Sequence, residues 1–150
     1  GDLVIAPYAR GNTLTAIRLG GSGDVTKSHT VWAHDDGELS ADVPTPAAKD
    51  GRVYVCDDKG TVSCLDVATG KVIAQRQLPK NRNAYSASPI LAGEYLYLIR
   101  EDGTVYVLKA NDELELVSEN ELGEFTVATP AFVDGRILIR SFDRLWCIAK

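Results

Sequence analysis

With 150 residues, of which 45% are hydrophobic and 25% charged, the chain is long enough to form one domain with a buried core. Its net charge of -5 and its pI near 5.0 give no basic surface for nucleic acid or for an anionic membrane, so we expect neither as a partner. No apolar run approaches the roughly 20 residues that would cross a bilayer. The sequence has no Met and opens inside an apolar run, which indicates a piece of a longer protein whose targeting segment lies elsewhere.

Short β-strands joined by tight turns are predicted along the whole chain, because runs rich in Val, Ile, Leu and Tyr are bounded by Asp-Gly, Lys-Gly and Asn-Asp. In chain order, strands are expected at 30–34, 53–56, 61–65, 71–77, 95–99, 104–108, 114–118, 137–140 and 145–148, with a further short strand after each of three prolines. The stretch "NDELELVSENELGEF" contains helix-forming residues, but "LELVS" alternates and favours a strand. "GGSGDVTKSH" is predicted to be a lengthened surface loop.

The strands repeat with a period of about 42 residues. Pro46, Pro89 and Pro130 are separated by 43 and 41 residues, and the glycines at 51, 93 and 135 by 42 each. A sheet of four antiparallel strands cannot bury both faces alone and must stack against its neighbours around an axis, whereas a β-sandwich would not explain the fixed period. We therefore predict an all-β fold, a partial β-propeller of about three and a half four-stranded antiparallel blades in a single domain over residues 1–150.

The blade units are predicted at about 1–42, 43–84, 85–124 and 125–150, the first without its first strand and the last without its last strand. In the second unit, "CLDVATGKVIAQ" interrupts an apolar run with a turn. Asp66 can accept hydrogen bonds from backbone amides, and Gly70 allows a positive φ angle. We assign Asp66, Thr69, Gly70 and Lys71 a structural role, as a blade-edge turn that fixes the register of two strands.

The combination of Ser/Thr-Pro, Gly-x-x-Tyr, Asp-Gly and Leu-Asp-x-x-Thr-Gly-Lys resembles the pyrroloquinoline quinone (PQQ)-like repeat. This propeller family contains the quinoprotein alcohol dehydrogenases and the non-catalytic BamB-type scaffolds. The resemblance is strongest in "VYVCDDKGTVSCLDVATGK" and weakest in the first unit. It implies a periplasmic or otherwise exported protein, and a last blade whose missing edge is supplied by an N-terminal strand of the full-length protein.

In this family a Trp three residues after the Lys of the turn docks between blades. Here that position is Ala74, and Trp32 occupies the comparable fourth-strand place in the first unit, so Trp32 is expected to dock there. The dehydrogenases of the family hold calcium beside the quinone and often carry an adjacent Cys-Cys disulfide. This sequence has no Cys-Cys pair and no recognisable calcium loop, so we expect no cofactor; PQQ with calcium applies only if the chain is part of a dehydrogenase.

The three cysteines are expected to be buried free thiols. A disulfide between Cys56 and Cys64 is disfavoured, because the hairpin should place Cys64 opposite Val53 or Val55. No metal spacing and no nucleophile motif is present in the sequence. An enzyme is therefore the less favoured interpretation.

Candidate recognition residues lie near the predicted hairpin tips and first strands: Arg100, Arg140, Arg144 and Tyr85. The favoured function is a non-catalytic module that binds or scaffolds protein or peptide through loop tips or exposed edge strands. The alternatives are a fragment of a PQQ-dependent dehydrogenase whose cofactor site lies in missing blades, and a sensor propeller attached to a signalling domain. Because an arc of blades has two open sides, two copies are also expected to associate, closing a ring of seven or eight blades.

Overall fold

The computed structural model describes residues 1–8, 13–37 and 39–149. Within these ranges the chain forms four antiparallel sheets, numbered blades 1 to 4 in chain order. Blade 1 contains β1 (Leu3–Tyr8), β2 (Thr13–Arg18) and β3 (Thr30–His34), with the short helix α1 (Thr26–His29) before β3; blade 2 contains β4 (Ala47–Lys49), β5 (Arg52–Cys56), β6 (Thr61–Asp66) and β7 (Val72–Gln77). Blade 3 contains β8 (Ile90–Ala92), β9 (Tyr95–Ile99), β10 (Thr104–Lys109) and β11 (Leu116–Glu121); blade 4 contains β12 (Ala131–Val133), β13 (Arg136–Arg140) and β14 (Leu145–Ala149).

This architecture confirms the predicted all-β partial propeller. Blades 2 and 3 have four strands, whereas blades 1 and 4 have three among the described residues. The strand expected at 114–118 lies instead at 116–121. The side chain of Asn111 accepts hydrogen bonds from the amides of Glu113 and Leu114, and Leu114 has a φ of 52°. The turn therefore extends two residues further than the alternating pattern suggested.

Prolines rather than glycines mark equivalent positions in blades 2, 3 and 4. Ala92 pairs with Tyr95 across the first turn of blade 3, as Lys49 pairs with Arg52 in blade 2. Gly93 therefore takes the place of Asp50, one position before Gly51. The true offset between these two blades is 43 residues, which is the spacing of Pro46 and Pro89.

The blades are held together by apolar side chains that pack face to face. Between blades 2 and 3, Tyr54 and Cys64 pack with Leu96 and Leu108, and none of these side chains is more than 2% exposed. Fully burying a leucine contributes about 1.5–3 kcal/mol. Smaller clusters join blade 1 to blade 2 and blade 3 to blade 4.

The inner ends of the blades are also linked by hydrogen bonds. The amide of Thr45 donates to Oγ of Ser88 at 2.9 Å, and the amide of Ser88 donates to Oγ1 of Thr129 at 3.0 Å. Each of these three hydroxyl residues directly precedes one of the three regularly spaced prolines of the repeat. Blade 2 is therefore tied to blade 3, and blade 3 to blade 4, at the axis as well as through their apolar faces.

Two expectations about cysteines were wrong. Cys64 lies opposite Tyr54, not Val53 or Val55, because Asp57 and Thr61 form the last pair of the β5–β6 hairpin. Cys147 is exposed, since no blade covers the outer face of blade 4 among the described residues, whereas Cys56 and Cys64 are buried. All three are free thiols. No helix in the described ranges is long and apolar enough to cross a membrane.

Candidate recognition surface

The hairpins between second and third strands share one end of the arc with the connections between blades. Main-chain hydrogen bonds fix this arrangement: the amide of Glu101 donates to the carbonyl of Ala84, and the amide of Phe142 donates to the carbonyl of Phe125, both at 2.9 Å. We call this end the loop face; it comprises residues 57–60, 78–89, 100–103, 122–130 and 141–144. Converging loops on a rigid scaffold are a frequent location for binding sites.

An exposed apolar patch lies on the loop face between blades 3 and 4. Phe125, Val127 and Phe142 are 51%, 52% and 76% exposed, and they border a shallow pocket of about 280 Å³ that Arg140 also lines. We call these three residues the Phe patch. Exposed aromatic side chains beside arginine are typical of residues that contribute strongly to protein–protein binding.

The fold itself does not require this patch. The hydrogen bond from Phe142 to Phe125 corresponds to that from Glu101 to Ala84 one blade earlier, so these positions are equivalent. In blade 3 the equivalent residues are Ala84, Ser86 and Glu101, and Oγ of Ser86 donates to Oε1 of Glu101 at 2.6 Å. The equivalent positions of blade 4 are instead apolar and exposed.

Of the predicted recognition arginines, Arg140 lines the pocket beside the Phe patch, and Arg144 lies in the same hairpin but is not part of the pocket lining. The guanidinium of Arg140 donates to the carbonyls of Ser141 and Phe142, so it holds the hairpin as well as lining the pocket. Arg144 is exposed, pairs with Glu124 at 3.0 Å and lies over the ring of Trp146 at 5.7 Å. Arg140 therefore borders the Phe patch, whereas Arg144 is engaged with Glu124 and Trp146.

The other two candidates, Arg100 and Tyr85, are buried. Arg100 is 6% exposed and donates to Asp102, to Oγ1 of Thr104 at 3.0 Å and to the hydroxyl of Tyr106 at 2.7 Å. Tyr85 is 2% exposed, and its hydroxyl has no hydrogen-bond partner. Because neither side chain is accessible to a partner, we do not propose them further for recognition.

The Phe patch was not predicted from the sequence. The sequence contains three phenylalanines, and two of them, Phe125 and Phe142, lie in predicted turns rather than in strands. Alignment of blades 3 and 4 would have shown Ala84 and Glu101 at their positions. The difference between these residues and the two phenylalanines was the signal in the sequence that could have identified the patch.

The Asp102 carboxylate is the most strongly shifted acid near the loop face. Burial alone would raise its pKa, but hydrogen bonds from Arg100 and Thr104 outweigh burial and lower the pKa to about 2. A carboxylate whose folded pKa lies below its ordinary value of 3.8 stabilises the fold above that value. This contribution is lost as the pH falls through the interval from about 4 to about 2.

We therefore expect Asp102→Asn to lower the urea midpoint at pH 7, and the difference from the wild type to shrink as the pH falls below about 4. The measurement is urea denaturation followed by circular dichroism at several pH values. Asp143→Asn, in the exposed hairpin of blade 4, is the control and should remain near the wild type throughout. A difference for Asp102→Asn that does not change with pH would contradict this account.

The residues assigned to the blade-edge turn lie between β6 and β7. Oδ1 of Asp66 accepts from the amide of Thr69 at 2.9 Å and from its hydroxyl at 2.7 Å, and these bonds lower the pKa of Asp66. The amide of Asp66 donates to the carbonyl of Lys71, and Gly70 has a φ of 72°. The ring of Trp32 lies against Gly70, with its Nε1 donating to the carbonyl of Val67 at 2.9 Å. Trp32 therefore joins blade 1 to the edge of blade 2.

A second concavity, of about 450 Å³, lies between blades 3 and 4. Its walls are mainly apolar side chains from both blades, including Tyr97, Val107, Ile137 and Ile148. It lies beside the edge strand β14, where blade 3 has a fourth strand and blade 4 has none among the described residues. Its position and lining suit a further β-strand better than a polar ligand.

The described residues contain no cluster of acidic side chains that would hold the calcium of a quinone site. Among the described residues, no group of three or more His, Cys, Asp or Glu side chains could hold a metal ion. Cys56 and Cys64 lie on different strands, and burial raises the pKa of both thiols. We derive no chemical step through such a group.

Comparison with known proteins supports a single family. A family model described as outer membrane protein assembly factor BamB matches residues 24–116, which are 93 of the 150 residues. No curated protein matches the chain significantly. BamB from Moraxella catarrhalis has a similar structure over 95% of this chain, with a TM-score of 0.72 and 19% sequence identity, and the match covers 41% of that BamB chain.

Two other solved structures share the fold. The computationally designed protein Ika8 matches 99% of this chain and 43% of its own, with a TM-score of 0.71 and 21% identity. A europium-containing methanol dehydrogenase matches 79% of this chain and 23% of its own, with a TM-score of 0.63 and 16% identity. The chain thus spans less than half the length of each of these three proteins, and at these identities they show a common fold alone. Because the family model covers more than half of the sequence, the chain belongs to the PQQ-like repeat propeller family described as outer membrane protein assembly factor BamB.

Proposed function

We propose that the chain is a non-catalytic module that binds protein or peptide through the loop face of blades 3 and 4. The observation that carries this proposal is the exposed Phe patch at positions where blade 3 has a hydrogen-bonded polar pair. Burying a patch of this kind against a partner removes apolar surface from water without disturbing the fold. A scaffolding role agrees with the name of the family, an assembly factor.

The chemistry of the surface indicates the kind of partner. Aromatic and aliphatic side chains of a partner fit Phe125, Val127 and Phe142, and a carboxylate fits the basic rim formed by Arg140 and Arg144. The rim is basic although the chain as a whole has a net charge of -5. We therefore propose a partner segment that is apolar with at least one acidic group, and, from the family, an exported or periplasmic setting for the interaction.

The test uses random peptides of roughly twelve residues displayed on phage and selected on the 150-residue chain. We expect the selected peptides to be rich in apolar and acidic residues and to bind with micromolar Kd in fluorescence anisotropy. Introducing the residues of blade 3, as Phe125→Ala, Val127→Ser and Phe142→Glu together, should weaken binding at least about tenfold, or about 1.4 kcal/mol.

Val117→Ser is the matched control, because Val117 is 47% exposed but lies on β11, outside the loop face. It should leave binding unchanged. Peptides that respond to Val117→Ser and not to the triple variant would place binding in the cleft beside β14 and contradict the proposal. Selection of no peptide above background would contradict it as well.

A further inference from the structure

The connection between blades 3 and 4, which carries two residues of the Phe patch, is held to the hairpin of blade 3 through its main chain. The amide of Leu122 donates to the carbonyl of Gly103, and the amide of Thr126 donates to the carbonyl of Glu101, both at 3.0 Å. A methyl group at Gly103 would meet the carbonyl oxygen of Glu124, so the two main chains are in close contact. One side of the connection is therefore fixed without its side chains.

On the side of blade 4, the same connection is held mainly by the side chain of Glu124. Its Oε2 accepts from the hydroxyl of Ser141 at 2.6 Å, and its Oε1 pairs with Arg144 at 3.0 Å. Oγ of Ser141 in turn accepts from Nε1 of Trp146 at 3.1 Å. The side chain of Glu124 is 17% exposed and Ser141 is 3% exposed. Little water competes for this contact, and hydrogen bonds to a charged group are stronger than those between neutral groups.

The residues that make these contacts form the buried part of the pocket beside the Phe patch. Thr126 and Ser141 both line the pocket, and both are 3% exposed. The hydroxyl of Thr126 also donates to the carbonyl of Arg140 at 2.6 Å. Glu124 is not among the residues that line this pocket. Its side chain therefore acts on the pocket through Ser141 and not as part of its surface.

The hairpin of blade 3 carries its own charged pair instead. Arg100 and Ser141 are equivalent, because the amide of each closes its hairpin. Arg100 is buried and pairs with Asp102 inside the same hairpin, at 2.9 Å. Blade 4 has a serine at this position, and the carboxylate that binds it comes from the other loop. The arrangement of the two loops of the Phe patch therefore depends on Glu124.

We propose that Glu124 is a positioning residue, which holds the loops 122–130 and 141–144 in the arrangement that the partner binds. This inference rests on the proposed function of the Phe patch. A protein binds more weakly in proportion as its binding-competent arrangement is less populated. Loops that are ordered before binding also avoid the cost of being ordered in the complex. Glu124 thus contributes to affinity without contacting the partner.

Amide hydrogen exchange followed by NMR tests the arrangement in the free chain, without any peptide. The amide of Phe142 reports on it, because this amide donates to the carbonyl of Phe125 in the other loop. Glu124→Ala should speed exchange at Phe142 at least about tenfold, while the amides of β5 and β6 keep their wild-type rates. Glu124→Gln can still accept from the hydroxyl of Ser141 and loses only the charge, so it should stay within about threefold of the wild type.

Either of two exchange results would overturn the proposal. One is an unchanged rate at Phe142 in Glu124→Ala. The other is faster exchange throughout β5 and β6 as well, because that would show a loss of global stability rather than a local release of the loops.

The binding kinetics of the peptides selected on the wild-type chain test the consequence, by stopped-flow fluorescence. Glu124→Ala should raise Kd at least about tenfold through a slower association, because fewer molecules are ready to bind while the complex keeps its contacts. The triple variant of the Phe patch should instead speed dissociation, since it removes contacts. Glu121→Ala is the matched control, because Glu121 is an exposed acid at the end of β11, outside the loop face. It should bind as the wild type does.

The two proposals fail in different ways. Peptides that lose affinity for the triple variant but bind Glu124→Ala with wild-type rate constants would overturn the role of Glu124 and leave the Phe patch as the binding site. Slower association with Glu121→Ala as well would show a general effect of charge and would also overturn it. If no peptide is selected, the proposed function fails, and exchange at Phe142 still decides whether Glu124 orders the loops.

Discussion

Arg100→Met is expected to lower the free energy of unfolding by about 3 kcal/mol. The substitution removes the cation from a nearly buried site where its guanidinium pairs with Asp102 at 2.9 Å. It also removes the donor to the hydroxyl of Tyr106, at 2.7 Å. Methionine fills much of the same volume, so the loss comes from polar groups left without partners rather than from a cavity.

The control is Arg144→Met, which breaks an ion pair to Glu124 whose arginine side chain is 66% exposed. Exposed pairs contribute less than about 1 kcal/mol, so this variant should unfold close to the wild type in urea. Adding Asp102→Asn to Arg100→Met should cost less than the sum of the two single effects, because both act on one pair. If both arginine variants lost the same small amount of stability, the buried network would not contribute as described.

The repeat and its strands could be predicted from sequence because the physics involved is local. Alternation, turn residues and the regular spacing of Pro46, Pro89 and Pro130 determine where strands begin and end. The blade-edge turn at Asp66 was equally accessible, since its hydrogen bonds run to Thr69 within the same loop. Features of this kind can be predicted without knowing which residues of the neighbouring blade they contact.

Burial of the hairpin arginine could not be predicted in the same way. Arg100 follows the last residue of β9 and precedes Asp102 and Gly103, which reads as a solvated tip. It is buried because two groups enclose it. One is the side chain of Tyr106 on β10, and the other is the carbonyl of Pro79 in the preceding connection between blades. The opposite error was made for Cys147, which lies in an apolar run but is exposed, since no blade of the described part of the chain covers it. Burial of Arg100 depends on the folded hairpin and on the preceding connection, and exposure of Cys147 depends on the packing of the blades. Neither can be deduced from the local sequence pattern.

The candidate site shows the same limit. Arg140 and Arg144 were predicted from their positions near a hairpin tip; Arg140 lines the pocket beside the Phe patch, and Arg144 lies in the same hairpin. The patch itself depends on two loops, 122–130 and 141–144, that main-chain hydrogen bonds bring together. Single-sequence patterns do not reveal which loops meet, although comparison of equivalent positions between blades would have identified Phe142 as unusual.

Gly70→Ala is expected to lower the free energy of unfolding by about 3 kcal/mol, for two separable reasons. Gly70 has a φ of 72°, which an alanine adopts at a cost of about 1 kcal/mol. A methyl group at this position would also lie 2.5 Å from Cδ2 of Trp32. The indole must then move, and its hydrogen bond to the carbonyl of Val67 is lost or weakened.

Gly51→Ala separates the two contributions, because Gly51 has a φ of 77° but a methyl group there would meet no atom within 4 Å. Gly51→Ala should therefore cost only about 1 kcal/mol, measured by urea denaturation followed by circular dichroism. In a Trp32→Ala background, Gly70→Ala should fall to the same value, because the ring it displaces is gone. Equal losses for Gly70→Ala and Gly51→Ala in the wild-type background would instead show that Trp32 adjusts freely, and that its docking against the turn does not hold blade 1 to blade 2.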